Sequence, residues 1–554
     1  MRRALRASAA AAFTLSLLAP GVARATGVME FPDNGSEQEA RGGAWVARAS
    51  DPLATFYNPA GLAGQPTRLT LQANISTQGT CFTRVKANND TSLNDGATGG
   101  TGPSNAGGTY PQVCQAGNWF PDPQLAFTYR LTDRIGLGIA ILGPSAVGNV
   151  SWPEFINGGT PSPQRYMLLS SSVVLLTPTI GIGWEPIDNL RIGASFIFGT
   201  APSIDFATSS PSQNINGVVV SDPSGSGDLR AELKAHDYFI PGFTLGSIWS
   251  PTPSLDVAAW YKYMAPINAT GDVTTAAGYF TQRVAGGDTS KVVYGSTSEP
   301  ACFTPAPGTN PPPLCGGGNV ASIKVPLPME AKLGVRYHMA RSGVEVTPHL
   351  RDPMSQDVFD VEANLTWAND SAFDSIQIRF PGTPGGQGVI PVAGTPGDLP
   401  PNADVRHHFS DVIGIRLGGD YNVLPDQIAL RAGGFFETQA ADTTYQNIDF
   451  DAASRFGFAL GGTYRIRLGA EKKHALDLMA GYGHVFFANL SNTNPNGQGI
   501  PALAGEPCIG GTPPAAGQSQ CPGGHTQYRT IWPINLGTIT SSINVINVGA
   551  SFSF

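Results

Sequence analysis

The 554-residue chain is poor in charge: Asp, Glu, Lys and Arg make up 13% of it, about half the share in an average globular protein. Past its first residues it offers no uninterrupted apolar run long enough to span a bilayer, which argues against a helical membrane topology. It has no basic run and its net charge is −8, so nucleic acid is not an expected partner. A phosphate-binding loop and a Gly-x-Ser-x-Gly elbow are both missing, and His236, His338, His349, His407, His408, His474 and His484 are scattered. Covalent catalysis needs a nucleophile with a base beside it, so no enzyme, catalytic residue or cofactor is expected. His407-His408 falls at a strand start and reads as rim, not as a metal site.

What the chain has instead is turn residues, 68 Gly and 46 Pro, set between segments of clean period-two alternation. Ile546, Val548, Ala550, Phe552 and Phe554 alternate with Asn547, Gly549, Ser551 and Ser553 up to the last residue. Phe456, Phe458, Leu460, Gly462, Tyr464, Ile466 and Leu468 alternate with Arg455, Gly457, Ala459, Gly461, Thr463, Arg465 and Arg467. Leu190 to Phe198 and Leu125 to Leu131 follow the same rule. Such strands turn one file to lipid and the other to a lumen, and about ten tilted residues cross an outer membrane.

Fourteen of these stretches can be placed, at 67–77, 123–131, 134–143, 164–185, 189–206, 228–250, 254–272, 320–339, 355–381, 407–423, 427–438, 453–468, 473–490 and 541–554. A hairpin at Asn369-Asp370 would raise the count. One long strand is preferred there because it keeps short turns alternating with long loops. The expected fold is all-β, a fourteen-stranded antiparallel transmembrane barrel in the outer membrane of a Gram-negative bacterium, with its short turns periplasmic and its long loops external.

The first 25 residues read as a secretory signal: Arg2, Arg3 and Arg6, then an apolar core through Leu18, Pro20 and the cleavage pattern Ala23-Arg24-Ala25. Export favours disulfides. The six cysteines fall as Cys81 and Cys114, Cys302 and Cys315, and Cys508 and Cys521, each pair within one long external loop, so near-neighbour bridges are expected. Histidines at ligand spacing are lacking in those loops, and no metal is expected.

Residues 26–63 do not alternate. They read as Gly-rich coil with short helices, Ser36 and Glu39 forming a capping-box pair before Ala40 to Ala47, and Asp51-Pro52 opening a second turn. The run Gly42-Gly43-Ala44-Trp45-Val46-Ala47, followed by Asp51-Pro52-Leu53-Ala54-Thr55-Phe56-Tyr57-Asn58-Pro59-Ala60-Gly61-Leu62-Ala63, closely resembles the start of FadL-type outer-membrane transporters of long-chain fatty acids and other hydrophobic compounds. Arg165-Tyr166 and the closing Phe554 extend the likeness.

The resemblance implies a hatch at 26–63 folded inside a barrel formed by 64–554. It also implies passive uptake of hydrophobic molecules, with sideways release at an interrupted third strand. Asn58, Pro59, Ala60 and Gly61 are the candidate gate, since Asn bonds nearby backbone and Pro fixes φ. Leu53, Phe56 and Tyr57 are candidate ligand-lining residues. Gly143 and Pro144 are the candidate kink, because proline removes a ladder donor. The partners expected are a hydrophobic small molecule or fatty acid, outer-membrane lipid and lipopolysaccharide, and the barrel-assembly machinery, with the chain a monomer. A general diffusion porin and a purely structural or adhesive barrel are the alternatives.

Alternation also turns Arg130, Arg191, Arg336, Arg431, Arg465 and Arg467 inward, mostly beside periplasmic turns. Arg431, Arg465 and Arg467 are the candidate anchors for hatch acids such as Glu37, Glu39 and Asp51. Pairing with inward wall carboxylates, Asp360, Glu362, Asp420 and Asp477, is the competing arrangement.

Overall fold

Alternation builds the wall. The computed structural model describes residues 34–554 apart from 89, 91, 93–101, 118, 144–148, 158, 211–228, 278, 281–292, 297–320, 345–348, 380–389, 392–397, 400–401, 470, 472 and 502–531. The wall strands are β1 (Arg68–Arg84), β2 (Phe120–Arg130), β3 (Ile135–Ile141), β4 (Ser170–Leu176 and Thr179–Ile187), β5 (Leu190–Ser210), β6 (Leu229–Thr252) and β7 (Leu255–Met264 and Ile267–Ala277). They continue as β8 (Ala321–Val325 and Glu330–Ala340), β9 (Asp357–Ala368 and Ser375–Arg379), β10 (Asn402–Arg406 and Val412–Leu424), β11 (Ile428–Glu437), β12 (Arg455–Leu468), β13 (His474–Phe487 and Leu490–Asn492) and β14 (Gly537–Ser553). Each pairs antiparallel with its neighbour, and β14 returns to β1 in the register Arg68↔Ser553 through Arg84↔Gly537, closing a fourteen-stranded barrel. Closure removes the free edge that an open sheet would present.

The outward file is apolar and exposed, including Leu71, Leu125, Ile139, Ile182, Phe196, Leu333, Ile415, Leu460 and Val548. A soluble protein seldom leaves so large an apolar belt uncovered, whereas lipid accepts it. β9 is one strand interrupted at residues 369–374: its lower part pairs with β8 and β10 and so does its upper part, so no hairpin forms at Asn369-Asp370.

Some boundaries move. β1 runs on to Arg84, so Cys81 sits within the strand and not in a loop, and it faces Cys114 of the short strand Val113–Cys114. These two cysteines form a disulfide. Cys302, Cys315, Cys508 and Cys521 lie outside the described residues, as do the signal segment and Pro144.

Within the barrel lie α1 (Ser36–Ala40), α2 (Ala54–Tyr57) and a 3-10 turn at Pro59–Leu62. The first helix starts at Ser36 behind Gly35, and no side chain caps it, so the expected capping box does not form. Asp51 accepts from the Leu53 N–H at 2.7 Å just ahead of α2, but the N-cap position is Leu53 and no side chain caps the helix, so the expected cap at Asp51 does not form. Residues 34–63 are buried throughout. The turn between β8 and β9 is longer than a hairpin and carries α3 (Pro353–Gln356). It folds under the hatch exit, where the Arg351 N–H donates to the Gly64 carbonyl at 2.8 Å.

The inside–outside assignment has a direct test. Leu460→Arg, on the outward face of β12, should cost about 2–4 kcal/mol near mid-bilayer, read by denaturant titration of the barrel refolded into vesicles. Ala459→Ser, one residue away and turned to the lumen, should cost far less.

Candidate functional site

The hatch is held to the wall by buried charge. Residues 41–50 carry Arg41 and Arg48 across the lumen to β9 and β10, where Asp360, Glu362 and Asp420 point inward. Arg41 Nη1 lies 2.7 Å from Asp360 Oδ1 and also pairs with Asp420, while its Nε donates to the Ala44 carbonyl at 2.9 Å. Arg48 Nη2 is 3.0 Å from Asp420 Oδ2, and its Nη1 pairs with Asp360. Glu362 accepts the backbone N–H groups of Ala47 at 2.8 Å and Arg48 at 3.1 Å. Every one of these side chains is nearly inaccessible to solvent, so the ions survive because each has opposite charge and hydrogen bonds around it.

The main polarity is therefore the reverse of the one expected, with hatch cations meeting wall acids. Of the three candidate anchors, Arg431 reaches the hatch, its Nη2 standing 2.8 Å from Glu37 Oε1 and its Nε 2.8 Å from Asp420. Among the described residues Arg465 and Arg467 do not. Arg465 pairs with Asp477 of β13, Asp352 and Asp426, and Arg467 pairs with Asp426 and Asp352. Those carboxylates lie in the wall, in the turn between β8 and β9 and in the turn between β10 and β11.

Glu37 also accepts from Trp45 Nε1 and Ser50 Oγ, each at 3.0 Å. Burial alone would raise its carboxyl, but Arg48 and Arg431 outweigh that and hold it far below the usual range. Asp51 has no such partner at contact distance. Burial, with the Glu37 charge adding to it, pushes its carboxyl up to about 7, despite hydrogen bonds from Gln38 and the Leu53 N–H.

Asn58 is fully buried. Its Nδ2 donates to the Val46 carbonyl at 2.7 Å and its Oδ1 accepts from the Ala60 N–H at 3.2 Å, with Pro59 opening the 3-10 turn. The turn fits because the wall opposite is glycine. A Cβ on Gly193 would overlap Pro59, one on Gly246 would overlap Asn58, and one on Gly136 would overlap Leu62. On the far side Gly418 and Gly433 make the same room for the backbone of Arg41, and Gly61 packs on Ala49. The inward glycines thus form two seats for the hatch.

Above these seats the lumen changes character. Leu53 is buried within the hatch beside Gly35. Phe56 and Tyr57 stand edge to face at 5.2 Å, and Trp45 meets Tyr57 at 6.5 Å. Trp260 of β7 donates its indole N–H to the Phe56 carbonyl at 3.1 Å. Lys262 and Lys332 lie over the Phe56 and Tyr57 rings, each at 5.4 Å. Further up, Ile204, Leu233, Ile240, Met264, Ile267 and Val273 face inward and belong to one apolar cluster with the hatch aromatics. Trp260, Lys262 and Lys332 were not among the expected site residues, although their inward register was readable in the alternation of β7 and β8.

β3 ends at Ile141, whose partner on β2 is Leu125. The Gly143 carbonyl accepts a hydrogen bond from Asn34 Nδ2 of the hatch.

These features define a transmembrane β-barrel that holds residues 34–63 inside its lumen, beneath a cluster of inward apolar side chains. Residues 21–506 match the family described as outer membrane protein transport protein (OMPP1/FadL/TodX), and the chain belongs to that family. Among solved structures it is similar to a Pseudomonas aeruginosa FadL homologue at 17% identity and a TM-score of 0.62, covering 95% of this chain and 99% of that one. The Pseudomonas putida toluene transporter TodX aligns at 14% identity and 0.55, covering 95% and 99%. The Ralstonia pickettii toluene transporter TbuX aligns at 15% and 0.51, again covering 95% and 99%. Comparison with curated protein sequences gives no match. The chain is thus an outer-membrane channel of a family that transports hydrophobic compounds, and not an enzyme.

Two outcomes follow for the hatch. Arg41→Ala leaves Asp360 and Asp420 short of a partner and should weaken docking by about 3–5 kcal/mol, read as faster protease cleavage within residues 34–63 while the barrel stays folded. For Asp51, the docked hatch favours the protonated acid, so its contribution is complete below about pH 4 and is lost as pH rises through about 7. Protease protection should therefore fall across that window and then level off, and Asp51→Asn should remove the trend.

Proposed function

We propose that the chain takes up hydrophobic molecules by passive diffusion, gated by the hatch. Long-chain fatty acids and monoaromatic hydrocarbons are both within the class, since an apolar chamber binds by area and not by one fixed head group. The observation that carries this reading is the plug itself, pinned by Arg41 and Arg48 to Asp360, Glu362 and Asp420 directly beneath the apolar cluster. An open diffusion porin would need a water-filled lumen at that level. Among the described residues one cavity between hatch and floor, lined by Glu37, Asp51, Arg68 and Arg465, is about 20 Å3, room for roughly one water.

In this mechanism cargo leaves water for the chamber over Phe56, Tyr57 and Trp260, and a shift of the Asn58–Gly61 turn on its glycine seats connects the chamber onward. Release is sideways, between β2 and β3 above Ile141, where the ladder between them has ended. The energy comes from partitioning alone.

Uptake by cells and conductance in planar bilayers test the reading together. The intact chain should take up labelled oleate or toluene while passing little ionic current. Deletion of Ser36 to Leu62 should leave a folded barrel with a large steady conductance. A wild-type chain that conducts like an open pore, or that takes up neither compound, sinks the proposal.

A further inference from the structure

The wall opposite the apolar chamber is built of amides. On the lumen face of β14, β1 and β2 the register sets Gln72 beside Gln124, and Asn74 between Asn547 and Asp122. The hatch adds Asn34 and Ser36, whose backbone N–H donates to Gln72 Oε1 at 2.9 Å. Asn34, Ser36, Gln72, Asp122, Gln124 and Asn547 are each at most 6% exposed. A buried polar atom without a partner is costly, yet each of the six has one or more among the described residues: Asn34 Oδ1, Ser36 Oγ, Gln72 Nε2, Asp122 Oδ2, Gln124 Oε1, and both amide atoms of Asn547.

The surplus is uncharged apart from Asp122. Asn34 spends its amide N–H on the Gly143 carbonyl, and Gln124 spends its own on the Asp122 carbonyl at 2.5 Å. What remains is four acceptors, Asn34 Oδ1, Asp122 Oδ2, Gln124 Oε1 and Asn547 Oδ1, beside the amide nitrogens of Gln72 and Asn547 and the Ser36 hydroxyl, a mixed set that a group able both to donate and to accept would fit. No arginine or lysine hydrogen-bonds any of the six among the described residues. The patch lies at the level where β2 loses its pairing with β3, on the path proposed for exit.

We infer that this patch is a subsite for the polar end of an amphipathic cargo, one that donates hydrogen bonds and carries no negative charge, such as the hydroxyl of an alcohol or phenol. A carboxylate would bring its charge beside Asp122 and four acceptor oxygens, with no arginine or lysine at the patch among the described residues to offset it. A plain hydrocarbon would leave the patch unsatisfied, the situation in which hydrogen-bonding sites discriminate most strongly. The inference rests on the transport reading and narrows its substrate class.

The test uses the full chain in mild-detergent micelles, equilibrated with equal amounts of decane, 1-decanol and decanoate. Retained ligand is measured by mass spectrometry against protein-free micelles. 1-Decanol should be enriched roughly tenfold over decane, the yield of one or two net hydrogen bonds, and decanoate should not exceed decane. Gln72→Leu with Gln124→Leu should bring the alcohol down to the level of decane while leaving decane retention intact. Equal retention of alcohol and alkane by the wild-type chain overturns the inference however the variants fold, and leaves the transport reading standing. Preferential retention of decanoate also overturns it. Retention of none of the three overturns both.

Discussion

The charge cluster between hatch and wall is the constraint on which the rest depends. Arg41 and Arg48 are unable to leave Asp360, Glu362 and Asp420 one at a time without stranding a buried ion, and a stranded ion costs more than the intact set returns. Such a cluster adds little net stability, but it fixes where the plug sits. Glu37 and Arg431 extend it towards β11, and Arg336 ties Asp360 back to Asp256 and Asp357 at the floor. Hatch position, floor geometry and the height of the apolar chamber follow from one network.

Glycine does the complementary work. Charge supplies attraction over several ångströms, while Gly193, Gly246, Gly418 and Gly433 let the backbones touch. Without the glycines the arginines would be held off by side chains, and without the arginines the glycines would be gaps. The lower lumen is thus polar and fixes the plug, while the upper lumen is apolar and is the surface proposed for cargo.

The wall was legible in the sequence because period-two alternation is a local signal: all fourteen strands lie where the pattern put them, with β1 extended at its upper end. The long interrupted β9 was readable too, because a hairpin would have broken the order of short turns and long loops. Ion-pair partners were less legible. Alternation says that Arg465 and Asp360 point inward but not at what height or across which gap, and so it left the hatch acids and the wall acids open as partners; Arg465 meets Asp477, one of the wall acids considered, together with the turn residues Asp352 and Asp426. The capping-box pattern of Ser36 and Glu39 failed for a similar reason, since burial against β1 and β13 gave those groups other neighbours. The folded-back turn carrying α3 left no periodic mark at all.

The seam between β1 and β14 sets the order in which this molecule can be made. Arg68 Nε and Ser553 Oγ, 2.9 Å apart, are separated by 485 positions along the chain, so the contact that shuts the wall joins nearly the first strand residue to nearly the last. Long-range contacts of this kind form late, after the chain entropy of everything between has been surrendered. The plug precedes β1 and is therefore present before there is a cylinder to hold it. Its seats are contributed by β3, β5, β6, β10 and β11 and its counter-ions by β9 to β11, so they are complete around it only once strands from both halves of the chain have come together.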